Sequence, residues 1–195
     1  MVNYPQMMIR VGVTLFIIGL THLIPGIALR DAQAFRYLHA HLRGFSTSFR
    51  LLWHLGRTPF ALLVILLMVL LYTELGVSLA IIFVLIISFE WFIKRSLQRV
   101  RPFNLIPDTL MSQPKEPGDP SFPSGDALRI WFIALALPVT LGATWPLILF
   151  VSLIALLISL GRIGLGVHYP LDVVGGSGLG MLGAGIWLQL ISKLL

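Results

Sequence analysis

Apolar runs long enough to cross a lipid bilayer set the first limit on what this chain can fold into. A helix needs about 20 largely apolar residues to span a hydrocarbon core. Residues 60–93 form an apolar stretch too long for one crossing, with Glu74-Leu75-Gly76 in its middle to serve as a tight turn. Only 11% of the 195 residues are charged, whereas 57% are hydrophobic. A soluble domain carries about a quarter charged residues, so this chain has too little polar surface to cover a globule in water. It reads as an integral membrane protein.

The runs predict an all-α polytopic membrane protein with six transmembrane helices. The first covers about residues 8–29 and is long for the apolar core of a signal peptide, so it reads as a retained span. Spans two and three cover about 58–73 and 76–95. The segment from Gln98 to Pro123 holds six prolines and mixed charge, a loop composition. Span four runs over about 124–141, span five follows the Gly142-Ala143-Thr144-Trp145-Pro146 turn to about Leu160, and span six covers about 172–194. Gly176, Gly180 and Ala184 fall four apart in the last, a spacing that lets helices approach closely in lipid. Packing within the chain is the expected use. At this length all spans belong to one domain, residues 1–195.

Residues 30–57 have a different pattern. Phe35, Leu38, Leu42, Phe45, Phe49 and Leu52 recur at steps of three and four, beside Arg36, Arg43, Arg50 and Arg57 at steps of seven. Such stripes predict an interfacial amphipathic helical segment in the headgroup plane, broken near residues 44–48. A seam packed on a partner helix is the alternative. His39, His41 and His54 lie here without cysteine or clustered carboxylates, and read as interfacial side chains rather than metal ligands.

The absence of cysteine excludes a disulfide framework, thiolate metal sites and a cysteine nucleophile. The net charge of +6 comes from 14 Lys and Arg against 8 Asp and Glu. In so apolar a chain this excess points to membrane lipids and a phosphate headgroup as partners, and away from nucleic acid.

Ionisable groups at membrane depth are costly, so those beside the span ends are the functional candidates. Three clusters stand out: Lys94 with Arg101-Pro102, then Pro123-Ser124-Gly125-Asp126, then Arg162, His168 and Asp172. With alternating spans, all three reach one face of the membrane. Their order and spacing, Lys94-x6-Arg101-Pro102, Pro123-Ser124-Gly125-Asp126 and Gly161-Arg162-x5-His168-x3-Asp172, resemble the type 2 phosphatidic acid phosphatase superfamily. These are membrane lipid phosphatases related to vanadium haloperoxidases. The resemblance covers about residues 58–190 and departs from the family pattern twice: Asp126 replaces a histidine and Gly161 a serine.

The resemblance implies phosphoryl transfer without a metal or other cofactor. Lys94, Arg101 and Arg162 would bind phosphoryl oxygens, the arginines in bidentate fashion. Ser124 and the Gly125 amide would add donors at a helix N-terminus, where the dipole favours an anion. His168 would attack phosphorus to give a phosphohistidine, and Asp172 would hold the imidazole with its attacking nitrogen unprotonated. Arg95 and Arg99, outside the motifs, read as side chains reaching to headgroups.

Asp126 stands where the family places the acid that protonates the leaving oxygen, a contribution of about 10² to 10⁴ in rate. Arg129 lies three residues on, the helical spacing for an ion pair, and pairing favours the carboxylate, which donates no proton. Three readings stay open: Asp126 acts as an acid, the substrate needs none, or turnover is impaired. A diphosphate lipid fits the second, because its leaving group is a phosphate monoester with a second pKa of about 6.

The expected function is therefore an integral membrane lipid phosphatase acting on a lipid phosphate or diphosphate. A polyprenyl diphosphate such as undecaprenyl diphosphate is favoured. The alternatives are a lipid-phosphate-binding or transport-associated protein and a lipid phosphotransferase. The resemblance implies a site on the periplasmic face of a bacterial inner membrane. The Lys and Arg count on the motif face against Arg10 and Lys193 on the other argues for the cytoplasm.

Overall fold

The computed structural model describes residues 4–192, and every regular element among them is helical. Helix α1 (Tyr4–Leu20) ends in a 3-10 turn, Thr21–Leu23. Helix α2 (Pro25–Leu42) then opens on Pro25, whose ring pushes Ile24 into extended backbone at φ −85° and ψ 117°. The first apolar run, expected to continue unbroken to Leu29, is thus divided at Ile24.

A second 3-10 turn at Arg43–Phe45 separates α2 from α3 (Ser46–Gly56), close to the expected break. Phe35, Phe49 and Trp53 are buried, while Arg36, Arg43 and Arg50 are exposed. Part of the apolar stripe of residues 30–57 is turned onto the protein, where Phe49 packs with Leu165 and Val167 at the far end of a later helix, while Phe45 is exposed.

Helices α4 (Thr58–Leu71) and α5 (Thr73–Leu97) form a hairpin hinged at Tyr72. The hinge falls ahead of the Glu74-Leu75-Gly76 triplet expected to make it. Gly76 instead lies inside α5, where a Cβ would overlap the α4 backbone at Met68 and Val69. Its smallness closes the hairpin and does not turn the chain. A short α6 (Pro102–Leu105) and an irregular loop lead to α7 (Gly125–Thr140), α8 (Trp145–Gly164) and α9 (Pro170–Ile191). The expected end of the last span near Leu194 lies outside the described residues.

Each of the six expected spans contains a helix. Four stretches of the described residues are individually long and apolar enough to cross a membrane: Tyr4–Leu23, Thr73–Leu105, Trp145–Gly164 and Pro170–Ile191. A fifth results if Pro25–Gly56 and Thr58–Leu71, bent by 41°, count as one. Helices α4, with 14 residues, and α7, with 16, are shorter than the standard crossing. The outer faces of α4, α5 and α8 present Leu66, Leu70, Trp91, Phe92, Phe150 and Leu153. Such a girdle is stable against lipid tails and costly in water. The chain is an integral membrane protein.

Helix α9 is the centre of the packing. A Cβ on Gly12 of α1 would stand 2.6 Å from Leu182 N, and one on Gly178 would stand 2.6 Å from Phe16 N. Gly176 and Gly180 meet the α7 backbone at Ser124 and Leu128. The small-residue stripe therefore serves contacts within the chain, on two sides of α9. Phe83, Phe132 and Trp187 fill the space between α5, α7 and α9. This arrangement brings the ends of α5 and α8 and the starts of α7 and α9 to one end of the bundle.

Candidate active site

Arg162 and His168 owe their placement to how α8 ends. Gly166 has φ +78°, its N–H donates to Ile163 O at 3.0 Å, and Val167 N–H donates to Arg162 O at 3.2 Å. This paired bonding is a Schellman cap, which needs a residue in the left-handed region. It reverses the chain so that His168 returns beside Arg162. Asp172 then sits in the first turn of α9, where its Oδ2 accepts from the backbone N–H of Tyr169 at 2.8 Å and from the Ser121 hydroxyl.

Lys94 lies in the last turn of α5 and is buried. Gln98 closes that helix at φ 48°, and the extended residues after it carry Arg101 inward. Arg101 Nη1 lies 3.1 Å from His168 Nε2 and donates to Val167 O at 2.9 Å. Since a guanidinium only donates, Nε2 presents its lone pair and the ring proton is on Nδ1. Nδ1 faces Asp172 Oδ2 at 3.6 Å, an electrostatic contact just longer than a hydrogen bond. Burial first, then Arg101, pulls the imidazole pKa down to about 3, so the ring is neutral near pH 7.

Ser124 precedes α7 in the N-cap position, yet its side chain caps nothing. Its Oγ is buried without a hydrogen-bond partner, as is Arg162 Nε. Unsatisfied donors at a helix start make a seat for an anion. Gly125 leaves room for a neighbour: a Cβ there would overlap the carboxylate of Glu90 on α5 unless that side chain shifted.

Lys94, Arg101, Gly125, Asp126, Arg162 and His168 all line one cavity of about 360 Å³. Two carboxylates answer its cations. Asp119 bridges Lys94 Nζ and Arg101 Nη2 at 2.8 Å each. Partial burial opposes its charge, but the two cations hold its pKa far below the usual carboxylate range. Any anion bound by Lys94 and Arg101 must compete with this half-exposed group. Asp126 accepts from Arg129 Nη2 at 2.6 Å and lies 3.1 Å from Arg162 Nη1. Arg162 also donates to Gln113 Oε1. Arg129 in turn donates to Gly56 O at 3.0 Å and lies 3.6 Å from Glu90.

The profile of the PAP2 superfamily matches residues 63–195, more than half of the sequence. The chain belongs to the PAP2 superfamily. A curated relative of this PAP2 protein, an undecaprenyl-diphosphatase from Sulfolobus acidocaldarius, is 37% identical over 119 residues, which is 61% of this chain and 54% of that protein. The PAP2 chain thus spans about half the length of that relative. The first transmembrane PAP2 type phosphatidylglycerolphosphate phosphatase from Bacillus subtilis shares the fold, with a TM-score of 0.79 at 20% identity over 96% of this chain and 97% of its own. Aquifex aeolicus LpxE superposes with a TM-score of 0.61 at 28% identity, over 80% and 93% of the two chains.

The PAP2 motif residues identified from sequence are thus gathered in one place, and the expected Asp126–Arg129 ion pair is present. The second departure from the family pattern has a packing cause: a Cβ at Gly161 would stand 2.9 Å from Phe49 Cδ1 of α3. Sequence reasoning missed Glu90, Asp119, Ser121 and Gln113. Glu90 had a signal, since it precedes Lys94 by one helical turn and lies 3.8 Å from it. Asp119 had none, because an irregular loop carries no periodicity. Arg99 contradicts its reading as a headgroup-seeking side chain. Arg95 does point outward, over Trp91 at 4.3 Å, but Arg99 turns inward to pair with Asp31 and Asp172. The left-handed Gln98 sets that difference by redirecting the chain between them.

Proposed function

We propose that this PAP2 protein is a metal-independent lipid phosphatase that forms a phosphohistidine on His168, with a polyprenyl diphosphate such as undecaprenyl diphosphate as the favoured substrate. The observation that carries this reading is the unprotonated Nε2 of His168, whose lone pair faces Arg101 Nη1 at 3.1 Å, in one cavity with Lys94, Arg101 and Arg162, whose Nε is unpartnered. Lys94, Arg101 and Arg162 hold the equatorial oxygens, joined by Ser124 and the free amides at the start of α7. Nε2 attacks in line, the N–P bond forms, and the bond from phosphorus to the leaving oxygen breaks with its electron pair on that oxygen. Asp172 balances the charge gained by the ring. Water then attacks phosphorus, the N–P bond breaks, and orthophosphate leaves.

Lipid is the substrate class that the surroundings favour, since a larger groove beside the cavity shares Glu90, Lys94 and Asp119 with it and continues to the exposed Trp91 and Phe92 on the outer face of α5. Asp126 supports the diphosphate. Engaged by Arg129 and Arg162, it has no proton to donate, and a phosphate monoester leaves near neutrality without one. Phosphate release from a panel of purified lipid monophosphates and diphosphates tests the reading. Release from diphosphates is expected. Binding without release would identify a lipid-phosphate-binding protein instead, and transfer only in the presence of an acceptor lipid a phosphotransferase.

Because three side-chain cations supply the charge that magnesium supplies in other phosphoryl-transfer sites, activity should survive EDTA. Complete loss, restored by a divalent ion, would contradict the proposal.

We further place six crossings in the membrane, with α4 and α7 as the short ones, the α2–α3 arginines at the headgroups, and the site on the periplasmic face of a bacterial inner membrane. Exposed arginines on the site side then gather anionic substrate. A cysteine at exposed Glu116 in this thiol-free chain should react with an impermeant maleimide from outside intact cells. Labelling only after lysis would move the site to the cytoplasm.

A further inference from the structure

Arg99 is neither part of the three motifs nor exposed in the manner of Arg95. Its guanidinium is held, mostly shielded from solvent, between two carboxylates, with Nη1 2.6 Å from Asp172 Oδ1 and Nη2 2.6 Å from Asp31 Oδ2, and it lies 4.2 Å from the ring centre of Tyr169. Asp31, on α2, is itself buried and accepts from the backbone N–H of Leu171 with its other oxygen, at 3.1 Å. The contacts form one chain of charge from α2 to the ring of His168. We infer that Arg99 and Asp31 are positioning residues, which keep Asp172 ionised and aimed so that the imidazole keeps its proton on Nδ1 and its lone pair on Nε2. The inference rests on the proposed role of His168 and extends it to a residue of α2, upstream of the span matched by the family profile.

The physical argument is one of charge balance. Asp172 is buried completely, and a lone buried carboxylate avoids its charge by taking up a proton. Its Oδ2 is already occupied by Ser121 and Tyr169 N, so Arg99 is the only full positive charge in hydrogen-bond contact with it among the described residues. Asp31 fixes the fork of Arg99 from the other side, which a single point charge could not do as well. Without Arg99, the two carboxylates that shared it lose their common cation. A proton then goes to one of them, and an Asp172 that is protonated or turned no longer selects the imidazole tautomer.

The test uses the full-length purified protein and two kinds of readout. In Arg99→Leu, kcat should fall about 100-fold with KM within about threefold of the parent, the range seen when a partner behind a reacting group is lost. The double variant Asp31→Asn, Arg99→Leu removes the surplus carboxylate and should be more active than Arg99→Leu alone. Nitrogen-15 NMR of the histidine rings, with His168 assigned by its absence in His168→Gln, should give the Nδ1–H tautomer in the parent and a mixture in Arg99→Leu. If Arg99→Leu does not fold, Arg99→Lys decides, with an expected loss of about 10-fold in kcat at unchanged KM. Parent-level kcat in the folded variant, or a double variant no better than the single with His168 resonances unmoved, would overturn the inference. A parent that releases no phosphate would refute the proposed function, while the NMR arm would still decide whether Arg99 sets the tautomer.

Discussion

His168→Ala should reduce phosphate release by at least about 10³-fold, the scale on which loss of a nucleophile acts when the binding groups stay in place. The protein should remain folded and still bind orthophosphate, because Lys94, Arg101 and Arg162 reach the cavity from other elements. Chemistry and binding therefore separate in this variant. Only Nε2 is removed as an attacking atom, while the cations and the α7 amides that hold the anion remain. Purified variant and parent compared for release from a diphosphate lipid and for phosphate binding give the answer. Activity at half the parent level or more would contradict a phosphohistidine route.

Asp126→His should improve hydrolysis of a lipid monophosphate more than that of a diphosphate of the same chain, and the parent should prefer the diphosphate. The reasoning rests on the leaving group. An alkoxide gains about 10² to 10⁴ from a positioned acid, whereas a phosphate monoester, with its second pKa of about 6, gains little. The surroundings complicate the substitution in a predictable direction. A new imidazole would face Arg129 and Arg162, which now hold the carboxylate at 2.6 and 3.1 Å, so its protonated form would be disfavoured near neutrality. The double variant Asp126→His, Arg129→Ala should therefore show the larger gain, and the monophosphate gain should grow as pH is lowered. A parent that hydrolyses both classes equally, and loses both equally in Asp126→Asn, would restore Asp126 as the general acid.

The motif residues were legible as ionisable groups beside span ends and through their resemblance to the family pattern, and the structure shows what their intervals hold. Six residues from Arg162 to His168 are what a helix terminus and its glycine cap occupy, and seven from Lys94 to Arg101 carry the chain round the left-handed Gln98. The helices inside the six expected spans were legible from apolar runs, although only four stretches of the described residues are individually long and apolar enough to cross a membrane. Their joints were harder. The break at Ile24 follows from Pro25, a local rule that a hydropathy reading passes over, whereas the close packing of the α4–α5 hairpin depends on how Gly76 meets α4. Arg99 was out of reach. Arg95 and Arg99 lie four residues apart with the same chemistry, and their opposite directions depend on carboxylates 68 residues before Arg99 and 73 after it.

The most direct test follows the phosphoryl group itself. A diphosphate lipid labelled at its terminal phosphorus, mixed with the purified protein and quenched in alkali within one turnover, should leave label on the protein. Peptide mapping should place it on His168, since a phosphorus–nitrogen bond survives base and is lost in acid. Stoichiometric label on His168 that disappears on the timescale of turnover is the predicted result. Phosphate release at the same rate with no label on the protein, or with inversion at phosphorus, would show that water attacks directly and would contradict a covalent intermediate.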